Sequence, residues 1–245
     1  MPRIFIQPGS ITDGTVSLPE PEAKRLYRVL RLRPGDPVQL FDGQMEYHTE
    51  ITSITAKSAE LKILSSCQKP SEPTLDILLG QGYPKGEKLE WVLQKAVELG
   101  VSYVVPVVME RSVKRPDLKD IEHKLARLRR IATEAAQQSG RVRVPEVPCF
   151  MDLPMFLEHA RSADLKIIFY EGENTVGLRN LLHGVEGIKS VALLVGPEGG
   201  LTEDEVLEAE SAGFVSAGLG PRILRTETAG IAAISIIQYE RGDIG

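Results

Sequence analysis

Two glycine-bearing segments near the C-terminus hold the residue types that chemistry around a bound cofactor would use. The first, residues 195–201, reads Val-Gly-Pro-Glu-Gly-Gly-Leu. The second, residues 218–229, reads Gly-Leu-Gly-Pro-Arg-Ile-Leu-Arg-Thr-Glu-Thr-Ala. Each follows a short apolar run and leads into a helical pattern, so both are expected at strand ends, where ligands of α/β sheets bind. Gly196, Gly199 and Gly200 let the backbone approach a ligand closely or adopt positive φ. Thr202 with Glu205 matches a capping box for the helix behind the first loop, and Gly213 closes that helix.

A glycine loop opening a helix ordinarily suggests a phosphate. Here Glu203, Asp204 and Glu205 fill the first turn, complement the helix dipole themselves and would repel a phosphate. The segment lacks the lysine of a P-loop, and Gly218-Leu219-Gly220 begins a dinucleotide fingerprint that fails at Ile223. A cationic cofactor without phosphates fits better, and S-adenosylmethionine is such a molecule. In the second segment Thr226 and Thr228 read equally well as capping residues. Arg225 and Glu227 are favoured as functional groups. The helix at 229–239, apolar nearly all round, must be buried in the core or against a second subunit.

These loops need a scaffold. Before residue 70 the chain reads as β-rich, with strands at 3–7, 37–41, 45–54 and 59–64 and an Asp42-Gly43 hairpin turn. One helix, about 21–32, carries Leu26, Val29 and Leu30 as an apolar stripe. Short strands closing on one another suggest a small barrel. Residues 69–73 (Lys-Pro-Ser-Glu-Pro) form the expected boundary. Beyond it, apolar runs at 75–79, 103–108, 166–170, 191–195 and 214–219 alternate with helical patterns at 88–99 and 118–138. Leu118, Ile121, Leu125, Leu128, Ala132 and Ala135 mark the core face of the second helix. Lys124, Arg127 and Arg130 lie off it. That alternation predicts an α/β domain with a parallel sheet.

Composition is that of a globular protein, 42% apolar and 26% charged. No run of about 18 apolar residues suits a membrane span, and the start lacks a secretory leader. Cys67 and Cys149 read as reduced thiols of a cytosolic protein, and His48, His123, His159 and His183 are scattered, so no metal site is expected. The net charge of -5 argues against nucleic acid taken alone. It is unevenly spread, however: ten basic residues against four acidic lie between Arg111 and Arg143, and Lys24, Arg25, Arg28, Arg31 and Arg33 form a second cluster. Either cluster could be a solvated face; together they point toward RNA.

The segments LLVGPEGGLTEDE and GLGPRILRTETA resemble those of the RsmE family of 16S rRNA uridine-N3 methyltransferases, within the SPOUT superfamily. KGEKLEWVLQKAVELGV, PVVMERSV, EAAQQSGR and RLYRVLRLRPGD extend the resemblance over most of the chain. Tyr27 departs from it, standing where many relatives carry histidine. The resemblance implies a PUA-like β-barrel at 1–70 and a methyltransferase domain at 74–245 whose backbone forms a deep trefoil knot. It implies a cytoplasmic homodimer that binds S-adenosylmethionine and methylates N3 of one uridine, U1498, in small-subunit rRNA. Carried over by motif, Leu194, Gly196, Glu198, Gly199, Gly200, Leu219, Gly220, Ile223 and Leu224 would hold the cofactor. Arg225, Glu227, Glu198 and Arg141 would serve catalysis. Lys24, Arg28, Arg31, Arg33, Arg111, Lys114, Gln138, Arg141 and Arg222 would contact RNA. Three rivals stay open: an enzyme of the same superfamily acting on tRNA or another rRNA site, a non-catalytic RNA-binding assembly factor, and a dinucleotide-dependent oxidoreductase.

Overall fold

The structure is a computed structural model that describes residues 1–68, 72–113, 116–117, 119–172 and 175–244. By its contacts the chain divides into two units, Met1–Glu72 with Ala136–Val144, and Pro73–Ala135 with Pro145–Gly245. The first unit therefore takes in a stretch near Arg141 that the sequence boundary leaves with the second.

The first unit is built on a five-stranded sheet, counted among the described residues, in the order β1-β3-β4-β5-β2. The strands are β1 (Arg3–Phe5), β2 (Thr15–Leu18), β3 (Pro37–Phe41), β4 (Glu46–Ile54) and β5 (Ala59–Cys67). Asp42 turns β3 into β4: its carboxylate accepts from the backbone N–H groups of Gln44 and Met45 at 3.0 and 2.9 Å. Gly43 takes the required positive φ of 97°. Ile4, Leu18, Leu26, Leu40 and Leu61 lie in the core.

The expected helix at 21–32 is shorter and differently wound. A helix α1 (Glu20–Lys24) passes into a π-helical turn, Arg25–Val29. The N–H of Leu30 bonds the carbonyl of Arg25, and Arg31 closes the turn at φ 55°. The wider turn breaks the 3.6-residue stripe. Leu26 stays buried, whereas Val29 and Leu30 are exposed beside Tyr27. Arg3 is the unit's polar anchor. Its guanidinium pairs with the buried Glu46 at 2.7 Å, donates to the carbonyls of Gln137 and Arg141, and lies 4.7 Å from the centre of the Phe41 ring.

The second unit is an α/β domain around an all-parallel sheet, seven-stranded among the described residues, in the order β10-β12-β9-β11-β6-β7-β8. Its strands are β6 (Asp76–Gly82), β7 (Tyr103–Val108), β8 (Met151–Asp152), β9 (Leu165–Phe169), β10 (Val176–Gly177), β11 (Ser190–Val195) and β12 (Val215–Gly218). The helices are α2 (Lys88–Glu98), α3 (Ile121–Ser139), α4 (Leu153–His159), α5 (Leu178–His183), α6 (Glu203–Ser211) and α7 (Thr226–Arg241). Both faces of the sheet are covered, which explains the near-continuous apolar runs of its strands. On one face Phe156 of α4 and Val206 of α6 join Val105, Ala192 and Leu194 in a single cluster. Gly80 makes room there, since a Cβ on it would lie 2.3 Å from the Phe156 ring. On the other face α7 packs against α2, β6 and β11. In α3 the expected face is buried at Leu125, Leu128, Ala132 and Ala135, while Leu118 lies outside the described residues. The basic stripe is partly neutralised: Arg127 pairs with Glu90 at 2.8 Å, and Arg130 lies 3.7 Å from Glu134.

Candidate active site

The sheet order places the site. β11 is inserted between β6 and β9, and β12 lies on the far side of β9. Because all these strands are parallel, the segments after β9, β11 and β12 leave the sheet on one side, as in a topological switch point. They enclose a cavity of about 830 Å³, within the usual range of roughly 300–1,000 Å³ for small-molecule sites. Tyr170 and Glu171 line it after β9, residues 196–198, 200 and 201 after β11, and residues 219–226 after β12, with Lys88 and Arg111 completing the wall.

Each loop is held by identifiable bonds. Thr226, at the start of α7, donates to the carbonyl of Gly196 at 2.5 Å and accepts from Gln81 Nε2 at 2.7 Å. One buried hydroxyl thus fastens the first loop, the second loop and the end of β6 together. Gln81 is fully buried, and its Oε1 has no partner among the described residues. Gly199 permits a close approach, because a Cβ there would lie 2.7 Å from the Arg111 carbonyl. Arg111 in turn donates to the Leu201 carbonyl at 3.2 Å. Gly220 has φ of 106°, a conformation that L side chains rarely adopt. The expected capping box is present: Thr202 Oγ1 accepts from Glu205 N, and Glu205 Oε2 accepts from Thr202 N at 2.9 Å. The other Glu205 oxygen accepts from Glu110 N at 2.8 Å, so this buried carboxylate is fully used.

The charged groups divide into committed and uncommitted. Lys88 Nζ lies 3.1 Å from Glu198 Oε1 and 3.2 Å from Glu227 Oε2. Burial pushes the Glu198 carboxyl up, but Lys88 and the backbone N–H of Lys85 outweigh it and hold the group below the ordinary 4.5. Lys88 is correspondingly raised, first by Glu198 and then by Glu227. Arg222 and Arg225 are exposed on the rim, and neither has an ion-pair partner among the described residues.

Most of the sequence-selected residues come together here. Gly196, Glu198, Gly200, Leu219, Gly220, Ile223, Leu224, Arg222 and Arg225 all line the cavity. Glu227 stands beside it on Lys88. Leu194 does not line it but is fully buried in the core cluster, and Gly199 packs on Arg111. Arg111, selected for RNA, forms part of the cavity wall. Arg141 lies in the first unit, where it is buried and pairs with Glu72 at 2.8 Å. Lys24, Arg28, Arg31 and Arg33 are exposed on the first unit, as is Gln138. Lys114 lies outside the described residues. Sequence reasoning missed Lys88, Gln81 and Tyr170, whose distance from the two glycine segments hides them.

Glu46, His48 and Cys67 bring possible metal-ligand atoms within 4.8 Å of one another, a grouping the sequence spacing does not suggest. Glu46 is already engaged by Arg3 and Gln39, which leaves two uncommitted donors, fewer than a stable site needs. Both cysteines are free thiols. No helix among the described residues is long and apolar enough to cross a membrane.

Comparison with known proteins agrees with this geometry. A family model for the RNA methyltransferase domain matches residues 70–238, and one for the RNA methyltransferase PUA domain matches residues 18–64. The ribosomal RNA small subunit methyltransferase E of Bacillus subtilis is 34% identical over 239 residues, covering 94% of this chain and 93% of its own. That of Buchnera aphidicola from Acyrthosiphon pisum is 30% identical, covering 99% and 95%. Among solved structures, a ribosomal RNA small subunit methyltransferase E from Neisseria gonorrhoeae, bound to S-adenosyl methionine, superposes with a TM-score of 0.89. It is 36% identical, with all of both chains covered.

Proposed function

Because the chain belongs to the ribosomal RNA small subunit methyltransferase E family, we propose that it transfers a methyl group from S-adenosylmethionine to N3 of one uridine, U1498, in 16S rRNA. The observation that carries this reading is the cavity where the two glycine loops meet, with arginines on its rim that have no ion-pair partner among the described residues and an acid-capped helix behind it. The cavity suits the cofactor. Backbone of residues 196–201 and 219–224 offers hydrogen-bonding groups for an adenine, and Leu201, Leu219 and Leu224 offer apolar surface. The acids of α6 disfavour phosphate there. When bound, S-adenosylmethionine supplies the electrophilic methyl.

Uridine N3 carries a proton at neutral pH and must lose it to attack. Holding the base in near-attack geometry can supply about 7–11 kcal/mol. Arg225, uncommitted to any carboxylate among the described residues, donates to a uracil oxygen as negative charge develops. Glu227 is the proton acceptor. Glu198, held below its ordinary value by Lys88 and Lys85, is the second candidate and serves to fix the loop. Lys24, Arg28, Arg31, Arg33 and Gln138 on the first unit contact RNA, as does Arg222. Residues 1–70 are the RNA-binding domain and 74–245 the methyltransferase domain of a cytoplasmic homodimer, in which Arg141 serves RNA or the neighbouring active site.

Mass spectrometry of 16S rRNA from cells lacking the protein tests the reading: one N3-methyluridine should disappear, and its persistence would refute it. Arg225→Ala should lower kcat by about 100-fold or more while S-adenosylmethionine still binds by calorimetry. A near-normal rate would remove Arg225 from this role.

A further inference from the structure

Lys88 belongs to neither glycine segment, yet its ammonium sits where they meet. It opens α2, one turn after Lys85, whose backbone N–H donates to Glu198 at 3.1 and 3.3 Å. Glu198 comes from the loop after β11 and Glu227 from the first turn of α7, so two carboxylates from separate segments share one cation. Both are mostly buried, with side chains 25% and 17% exposed. Two such carboxylates without the cation would repel, and one would take up a proton. Among the described residues no other cation replaces it. Arg111, Arg222 and Arg225 share the cavity wall, but none pairs with either carboxylate among the described residues. Glu171 adds negative charge to the same wall, and Glu87 and Glu90 of α2 turn to Arg127. The Lys88–Glu227 contact is an ion pair at 3.2 Å, and among the described residues Glu227 Oε2 has no other well-directed donor.

We propose that Lys88 is a positioning residue: it holds Glu198 and Glu227 together as carboxylates, and so ties the cofactor loop to the loop that carries Arg225. The proposal rests on the methyltransferase reading for its kinetic consequence but not for its electrostatic one, so it can be tested both ways. In the unliganded protein with ¹³C-labelled glutamate, Lys88→Met should raise the titration midpoint of Glu198 by about one pH unit. Lys88→Arg, which keeps the charge, should retain the wild-type midpoints. In methyl transfer to small-subunit RNA, the acid limb of kcat/KM should move up by a similar amount in the methionine variant and return in the arginine one. Unchanged midpoints in Lys88→Met would overturn the proposal, as would an arginine variant that matches it. A loss confined to KM for RNA, with a shallower salt dependence, would also overturn it and make Lys88 a phosphate contact. If wild-type protein methylates no small-subunit RNA, the functional reading fails while the carboxyl titration still decides the role of Lys88. Because the Lys88 side chain is 36% exposed, the methionine variant is expected to fold. Lys88→Gln repeats the titration should it not.

Discussion

Thr226→Val tests whether one hydroxyl fastens the cavity. Valine keeps the shape of threonine but can neither donate to the Gly196 carbonyl nor accept from Gln81 Nε2, bonds of 2.5 and 2.7 Å in the wild type. Thr226 is 7% exposed and Gln81 0%, so water does not readily replace them. Among the described residues, Gln81 Nε2 would keep only its 3.4 Å contact to the Gly82 carbonyl, and Gln81 Oε1 already lacks a partner. An unsatisfied buried polar group costs about 1–3 kcal/mol. Two such groups put the loss at about 2–4 kcal/mol, with partial relaxation of the loop. For a chain of this size that is a fall in Tm of roughly 4–16 °C. Urea denaturation measures the loss directly. Adding Gln81→Leu removes the stranded donor, so the double variant should lose less than the sum of the singles, by about 1–2 kcal/mol. Affinity for S-adenosylmethionine should drop about tenfold in Thr226→Val, since the freed Gly196 carbonyl belongs to the cavity wall. A loss below about 0.5 kcal/mol, or strict additivity in the double variant, would refute the clamp.

Two further outcomes follow from the same wall. Gly82→Ala places a Cβ 2.4 Å from the Pro197 nitrogen and 2.6 Å from the Gly196 carbonyl carbon. Backbone cannot rotate aside, so the variant should lose about 1–3 kcal/mol and bind S-adenosylmethionine more weakly by calorimetry; Gly177→Ala, with nothing nearer than 4.0 Å among the described residues, is the silent control. The second outcome concerns pH. Glu198 is held below its ordinary 4.5, so its contribution to stability is present above that value and lost as pH falls through the folded-state value. The Tm gap between wild type and Glu198→Gln should therefore be largest near neutrality and close between about pH 5 and 3; a gap constant over that range would argue against the charge effect.

Much of the fold is legible in the residues. Pro37–Phe41 and Tyr103–Val108 stand at their expected bounds because turn signals and β-branched runs delimit them. The strands β8 and β10 are missed because two residues carry no period, and Thr15–Leu18 offers only two inward positions. The apolar stripe expected on Leu26, Val29 and Leu30 assumes a 3.6-residue turn that the π turn replaces. In the site, glycine spacing and the motif Arg-Thr-Glu-Thr reveal both loops. Lys88 stays hidden because a lysine opening an amphipathic helix looks like any solvated residue. Only the insertion of β11 beside β6 brings it to a carboxylate; the backbone bond of Lys85 to Glu198 spans 113 positions.

The same topology sharpens the choice of cofactor. The residue types alone say that acids in the first turn of α6 repel a phosphate, but exposed acids could swing away. Glu205 cannot. It is buried, one oxygen closes the capping box on Thr202, and the other holds Glu110 after β7. The N-terminal end of α6 therefore has its positive pole answered from within, by a carboxylate that also braces the loop carrying Arg111. Releasing the Glu205 carboxylate to admit a phosphate would break two hydrogen bonds and loosen the wall beside Gly199. A cofactor bound by loop backbone and apolar contact, with its positive charge toward Glu198 or Glu227, makes no such demand. The glycine loop and the acid-capped helix are thus compatible with each other only if the ligand brings no phosphate.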